Sequence, residues 1–215
     1  MKAVVVSRAG GPEVLEVLER ELPSIKPGWS LVKVMGFGIN HSEIFTRQGL
    51  SPSVTFPRVL GIEMVGLIEE TSDPSRLPVG QKVVSIMGEM GRAYDGGYAE
   101  YALLPNDNLY TITSDLNWRD LASVPETYYT AYGSMKNLQL EPKDRILVRA
   151  GSSGVGQAFA KLVRARFPEV RLVASVRRLD KEEKILAAGF DQVILDRDGK
   201  LETNQTFTKI FELVG

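Results

Sequence analysis

The sequence predicts an α/β protein in two parts, a β-rich first part and a second part built on a parallel sheet. Three observations predict it. Short β-favouring runs broken by glycine and proline turns fill residues 1 to about 115. After Tyr110, strand-like and helix-like runs alternate, the order that specifies parallel strands with right-handed crossovers. Finally, Gly151-Ser152-Ser153-Gly154-Val155-Gly156 joins one such strand to the opening of one such helix.

Taken in order, the candidate strands of the first part are 2–7, 14–20, 31–39, 59–70, 82–86 and 98–104. Gly10-Gly11-Pro12, Lys26-Pro27-Gly28, Pro78-Val79-Gly80 and Asp95-Gly96-Gly97 supply turns between them. Many short strands without long helices point to a barrel or sandwich. One helical patch, 42–48, interrupts the pattern. Asn117 is placed to cap a short helix over 118–123, and a second helix is expected over 127–137. The boundary falls near 116–125, which gives domains 1–120 and 121–215.

In the second part, strands at 145–149, 170–176 and 192–195 alternate with helices at 155–166, 181–188 and 207–214. The last helix is read from apolar residues at 207, 210, 211 and 214, with Gly215 where a C-cap glycine belongs. A doubly wound dinucleotide sheet has about six strands, and three fit here. The first strand would then keep an unpaired apolar edge, so the sequence is expected to be a fragment of a longer chain.

Composition excludes several classes. The chain has 215 residues, 43% hydrophobic and 25% charged, with net charge −1, so no global field favours nucleic acid or an anionic membrane. It has no cysteine, which removes disulfides, thiolate metal ligands and a cysteine nucleophile. The strand-like Ala3-Val4-Val5-Val6 is too short for a signal-peptide core, and no apolar run is long enough to span a bilayer. A soluble cytoplasmic protein acting on a small molecule is the expectation.

The glycine-rich turn carries the chemistry. A helix N-terminus exposes unpaired N–H groups and partial positive charge, so a glycine turn leading into one can seat a pyrophosphate. Gly151 suits the tight turn and Gly156 lets the helix pack on the strand. Read as G-x-G-x-x-G, the pattern lacks its middle glycine: Ser153 stands there and Gly154 follows. That serine needs more room but can donate a hydrogen bond; an ordinary βα turn reads the same way. At the end of the next strand no acid is present to hold a ribose 2′-hydroxyl. Ser175, Arg177 and Arg178 arrive together instead, suited to the 2′-phosphate of NADP, or else a solvated basic turn.

Several segments together resemble the medium-chain dehydrogenase/reductase superfamily, in its zinc-free quinone oxidoreductase branch. They are Gly10-Gly11-Pro12-Glu13-Val14-Leu15, Gly38-Ile39-Asn40, Gly61-Ile62-Glu63, Gly96-Gly97-Tyr98-Ala99-Glu100-Tyr101, Thr130-Ala131-Tyr132 and Ser153-Gly154-Val155-Gly156. They fall in family order and span nearly the whole chain. The resemblance implies a GroES-like catalytic domain, then a Rossmann domain, with the active site in the cleft between them. It also implies a sheet and a catalytic domain completed by further chain, and a homodimer or tetramer when complete.

Zinc-dependent relatives carry cysteine where Asn40 stands and histidine where Ile62 stands, and His41 is the only histidine here, so no metal is expected. The resemblance implies hydride transfer to a quinone or an α,β-unsaturated carbonyl, and Ser175, Arg177 and Arg178 favour NADPH over NADH as its cofactor. It sets Asn40 beside the nicotinamide ribose or the substrate carbonyl, although an asparagine here can simply satisfy the loop backbone. Phe45 stands where quinone oxidoreductases often carry tyrosine; it can wall the site but has no proton to give, which leaves solvent as the proton source. Thr127 and Thr130 resemble cofactor contacts, joining Gly151, Ser152, Ser153, Gly154, Val155, Gly156, Ser175, Arg177 and Arg178. Glu63 matches a family glutamate, or pairs with Arg47 or Arg58; His41, Tyr94, Tyr98 and Tyr128 read chiefly as packing or hydrogen-bonded residues. The rival readings are a non-catalytic NADPH-binding sensor and an inactive piece of a longer reductase.

Overall fold

Runs of β-branched residues become strands throughout the first half of the chain. In the computed structural model, which describes residues 1–214, they are β1 (Lys2–Val6), β2 (Leu15–Glu19), β3 (Trp29–Gly36), β4 (Arg58–Val59), β5 (Glu63–Thr71), β6 (Lys82–Ile86), β7 (Tyr101–Pro105) and β8 (Tyr110–Thr111). They form an antiparallel three-stranded sheet, β2-β1-β4, and an antiparallel five-stranded sheet, β7-β3-β5-β6-β8. Alternation works as expected in β6, where Val83 is buried and its neighbours are not. Val32, Met64, Ile68, Leu77, Val83, Leu104 and Leu109 fill the core under the larger sheet. Ala3, Val5, Val6, Val59 and Leu60 fill a second one with Tyr98.

The strand expected over 59–70 is two strands. Gly61 breaks it, holding φ at +110° between β4 and β5. The strand expected over 98–104 begins later, at Tyr101. Tyr98 hydrogen-bonds elsewhere: its N donates to Leu60 O at 2.9 Å, and Val4 N donates to its O at 2.8 Å.

Two short helices complete this unit, α1 (Ser42–Arg47) and α2 (Trp118–Ala122), and a longer one, α3 (Pro125–Leu138), opens at its end. Asn117 caps α2 through its Oδ1, which accepts from Asp120 N at 3.0 Å. The chain separates into two compact units, Met1–Glu126 and Thr127–Gly215.

The second unit is β9 (Arg145–Val148), α4 (Gly154–Arg166), β10 (Arg171–Val176), α5 (Glu182–Ala187), β11 (Gln192–Arg197), β12 (Lys200–Leu201) and β13 (Lys209–Phe211). They build one five-stranded sheet in the order β12-β11-β10-β9-β13. β9, β10, β11 and β13 run parallel, and β12 folds back antiparallel on β11. The helical stripe of α4 buries Phe159 and Val163 completely against Ile146, Val148, Leu172 and Ala174. Among the described residues, no helix is long and apolar enough to cross a membrane.

The helix expected over 207–214 is absent. Lys209–Phe211 is a strand paired with β9, so that Ile210 faces Leu147 and Phe211 faces Val148 in register. In the strand the two adjacent apolar residues point to opposite faces, so Phe211 is buried and Ile210 exposed. Tertiary contacts decide the matter. Phe211 packs on Phe159 with ring centroids 4.6 Å apart. Thr208 Oγ1 accepts from Arg145 N at 2.9 Å and donates to Asp144 Oδ1 at 2.7 Å. Lys209 Nζ lies 3.0 Å from Asp144 Oδ2. The edge of β9 is therefore covered over three residues rather than left open, and the sheet has five strands. The proposed C-cap at Gly215 lies outside the described residues.

Candidate functional site

In the second unit the turn after β9 leads directly into the N-terminus of α4. Ala150 takes φ +54°, and Gly151 N donates to Ser175 O at 3.1 Å. A Cβ on Gly151 would stand 2.5 Å from Ala174 Cβ, so the turn can lie on β10 only because that position lacks a side chain. Ser153 has a local reason to replace the middle glycine. It is the N-cap of α4, with extended φ/ψ of −70°/161°, and its Oγ accepts from Gly156 N at 3.0 Å. The hydroxyl hydrogen stays available to a ligand. Gly154 and Val155 open the helix, where backbone N–H groups lack an intrahelical acceptor, and Ser152 and Gly154 are exposed. Thr127 flanks the opening: its Cγ2 lies 3.7 Å from where a Cβ on Gly154 would be. Thr130 sits one turn further along α3, half-buried, its carbonyl accepting from Ser134 Oγ at 2.9 Å.

Arg177 and Arg178 lie just beyond the end of β10 and are exposed. Arg178 makes a loose ion pair with Asp180 at 3.6 Å. Ser175 does not join them. It lies within β10, paired to Ile194 of β11, and is completely buried with an Oγ that has no partner. A residue in a central strand is covered on both sides by its neighbours, whereas residues past the strand end reach solvent. The guanidinium pair is accessible, and the hydroxyl is not.

In the first unit, Asn40 stands just before α1 and is held at two atoms. Its backbone N–H donates to Glu43 Oε2 at 2.7 Å, and its Nδ2 donates to Glu63 Oε1 at 2.8 Å. Glu43 also accepts from Ile62 N at 2.8 Å and from the Tyr98 hydroxyl. Glu63 Oε2 accepts from Glu126 N at 2.9 Å. Glu63 pairs with neither Arg47, which donates to Gly10 O, nor Arg58, which pairs with Asp95. His41 is exposed and meets Phe45 edge-on at 5.5 Å between centroids; Phe45 itself is exposed. Tyr98 stacks at a tilt on Phe37 at 4.7 Å. Among the described residues, no group of three His, Cys, Asp or Glu side chains is arranged to hold a metal ion.

Burial controls the charges here. It pushes the Glu43 carboxyl up from its ordinary value, against the pull of Tyr98, Asn40 N and Ile62 N. It pushes Glu63 up too, against Glu126 N and Asn40, with the charges of Glu126 and Glu43 adding to the rise. The Tyr98 phenol is pushed up by burial and by Glu43. A carboxyl whose folded value is raised holds its proton longer folded than unfolded. Its contribution is therefore full below the ordinary 4.5 and is lost as pH rises through the folded value. Urea unfolding of Glu63→Gln across that rise should show a flatter decline than the unsubstituted chain; an unchanged slope would contradict the shift.

Glu43 escaped the sequence reading although a signal was present. Asn40-His41-Ser42-Glu43 has the spacing of a capping box, in which the fourth side chain reaches back to the first backbone N–H. Tyr98 was visible only as packing, because its partner lies 55 residues away.

Residues 26–114 match the alcohol dehydrogenase GroES-like domain family. Human quinone oxidoreductase is 32% identical over 169 residues, which are 77% of this chain and 50% of that protein. The chain thus spans about half the length of the curated relatives it matches. Among solved structures, the quinone oxidoreductase of Coxiella burnetii matches with a TM-score of 0.89 at 25% identity, over 100% of this chain and 69% of that one. A mycobacterial protein complexed with NADPH matches with a TM-score of 0.79 at 27% identity, over 92% of this chain and 60% of that one.

Proposed function

The chain belongs to the medium-chain dehydrogenase/reductase superfamily and is quinone oxidoreductase-like within it, and from that membership we propose that it serves NADPH-dependent, zinc-independent reduction of a quinone or an α,β-unsaturated carbonyl. The observation that carries the cofactor choice is the pair Arg177 and Arg178, exposed beyond β10, whose preceding residue but one, Ser175, accepts from the glycine turn. Two guanidinium groups there favour a 2′-phosphate over a bare 2′-hydroxyl, and no acid stands at the strand end to hold the latter. The nicotinamide, when bound, supplies the hydride.

The residues of this chain bind and orient. Gly151 keeps the turn close to β10, the α4 N-terminus and the Ser153 hydroxyl face the pyrophosphate, and Thr127 borders it. Asn40 holds a polar group of the cofactor or acceptor, and Phe45 walls an apolar acceptor without giving it a proton. Zinc independence rests on donor chemistry: the chain offers no thiolate and a single imidazole.

Steady-state assays of the full chain with NADPH and NADH, each against a quinone and an enone, test the reading. Replacing Arg177 and Arg178 together with alanine should raise the NADPH KM about 100-fold, since a charge-assisted hydrogen bond is worth roughly 1.5–3 kcal/mol, while the NADH KM hardly moves. A preference for NADH would overturn the cofactor assignment. NADPH binding without turnover of any acceptor would favour a non-catalytic sensor.

A further inference from the structure

We propose that Glu63 is a positioning residue for Asn40, its buried carboxylate fixing the amide so that Oδ1 is the atom offered to a ligand and a hydroxyl hydrogen is what it receives. The inference deepens the proposed function and rests on it. A carboxylate has only acceptors, so only the NH₂ side of the Asn40 amide can face Glu63 Oε1 at 2.8 Å. The carbonyl is thereby turned away from Glu63, and Oδ1 has no hydrogen-bond partner among the described residues.

Every joint of the clamp is held. Glu63 Oε2 takes Glu126 N at 2.9 Å, and Glu43 takes Asn40 N at 2.7 Å. A Cβ at position 38 would lie 2.0 Å from Glu63 Oε1, so Gly38 leaves the carboxylate its place. Stability does not explain the arrangement. Glu43 is 4% exposed and Glu63 2% exposed, and neither has a cation within ion-pair distance among the described residues. Buried carboxylates without a cation cost free energy. What they achieve is one fixed orientation of one amide, as preorganised sites require.

The consequence is chemical. One Nδ2 hydrogen of Asn40 is committed to Glu63, so the group best served by Oδ1 is a hydroxyl donor rather than a ketone oxygen. That hydroxyl belongs either to the nucleotide ribose or to the reduced acceptor, and two measurements separate the sources. NADPH dissociation constants, taken without acceptor, report the nucleotide; the quinone KM reports the acceptor.

The test is a cycle on the full chain with Glu63→Gln, Asn40→Ala and the double variant. Glutamine can turn either its NH₂ or its oxygen toward Asn40, so the amide loses its single orientation. Glu63→Gln is expected to weaken one of the two constants about tenfold and to weaken it no further when Asn40 is already alanine. Glu63→Asp, which keeps the charge but withdraws it, should behave in the same way and serves if the glutamine variant folds poorly. Additive losses, or no loss in either constant, overturn the inference while leaving the oxidoreductase reading in place. Absence of NADPH binding by the unsubstituted chain overturns that reading and this inference together.

Discussion

Arg149→Ala is expected to cost about 3–5 kcal/mol, the range for removing one partner of a buried ion pair. Arg149 directly follows β9 and carries two carboxylates at once. Its guanidinium meets Asp196 of β11 at 2.5 Å and Glu212, beyond β13, at 2.8 Å. Its own N–H donates to Phe211 O at 2.9 Å. The Arg149 side chain is 18% exposed and that of Asp196 only 8%, so solvent screens the pair little. Alanine would strand Asp196 as a buried carboxylate. Urea unfolding should show the loss, and adding Asp196→Asn should recover a good part of it. A loss below about 1 kcal/mol would mean that the pair behaves as a surface bridge.

Gly61→Ala is the second large effect, at about 3 kcal/mol or more. Gly61 holds φ at +110°, and a Cβ there would lie 2.6 Å from Gly97 N and 2.7 Å from Tyr98 N. Those atoms are backbone and cannot swing aside, so strain and overpacking combine. The same stretch brings Ile62 N to Glu43, which also accepts from the Tyr98 hydroxyl, and sets Glu63 at the start of β5. The midpoint of thermal unfolding of the variant should fall by roughly 6–12 degrees. A shift of only one or two degrees would show that the segment yields easily.

Legibility followed the range of the interactions. Local patterns were readable: the β-branched runs, the Asn117 cap and the apolar stripe of α4 stand close to where periodicity and capping place them. Elements decided by distant contacts were not. At 207–214 the apolar spacing is helical, yet contacts to Asp144, Arg145 and Phe159 hold residues 209–211 as a strand. Ser175 and the arginines are neighbours in sequence, yet the end of β10 divides them, because burial depends on flanking strands that no local pattern displays. The Glu43–Asn40–Glu63–Tyr98 cluster draws on three distant segments, and only its capping-box spacing was visible beforehand.

The short strand β13 does more than cover an edge. The chain passes from β9 outward to β10 and β11, then returns to lie on the opposite flank of β9. That reversal makes the C-terminal end of β9 a point where connections depart in diverging directions, and an open parallel sheet gapes at such a point. Had residues 209–211 coiled, the winding would have proceeded one way only and left Gly151 on an unbroken slope. Three residues of strand therefore make the loop after Val148 the place where the direction of winding reverses.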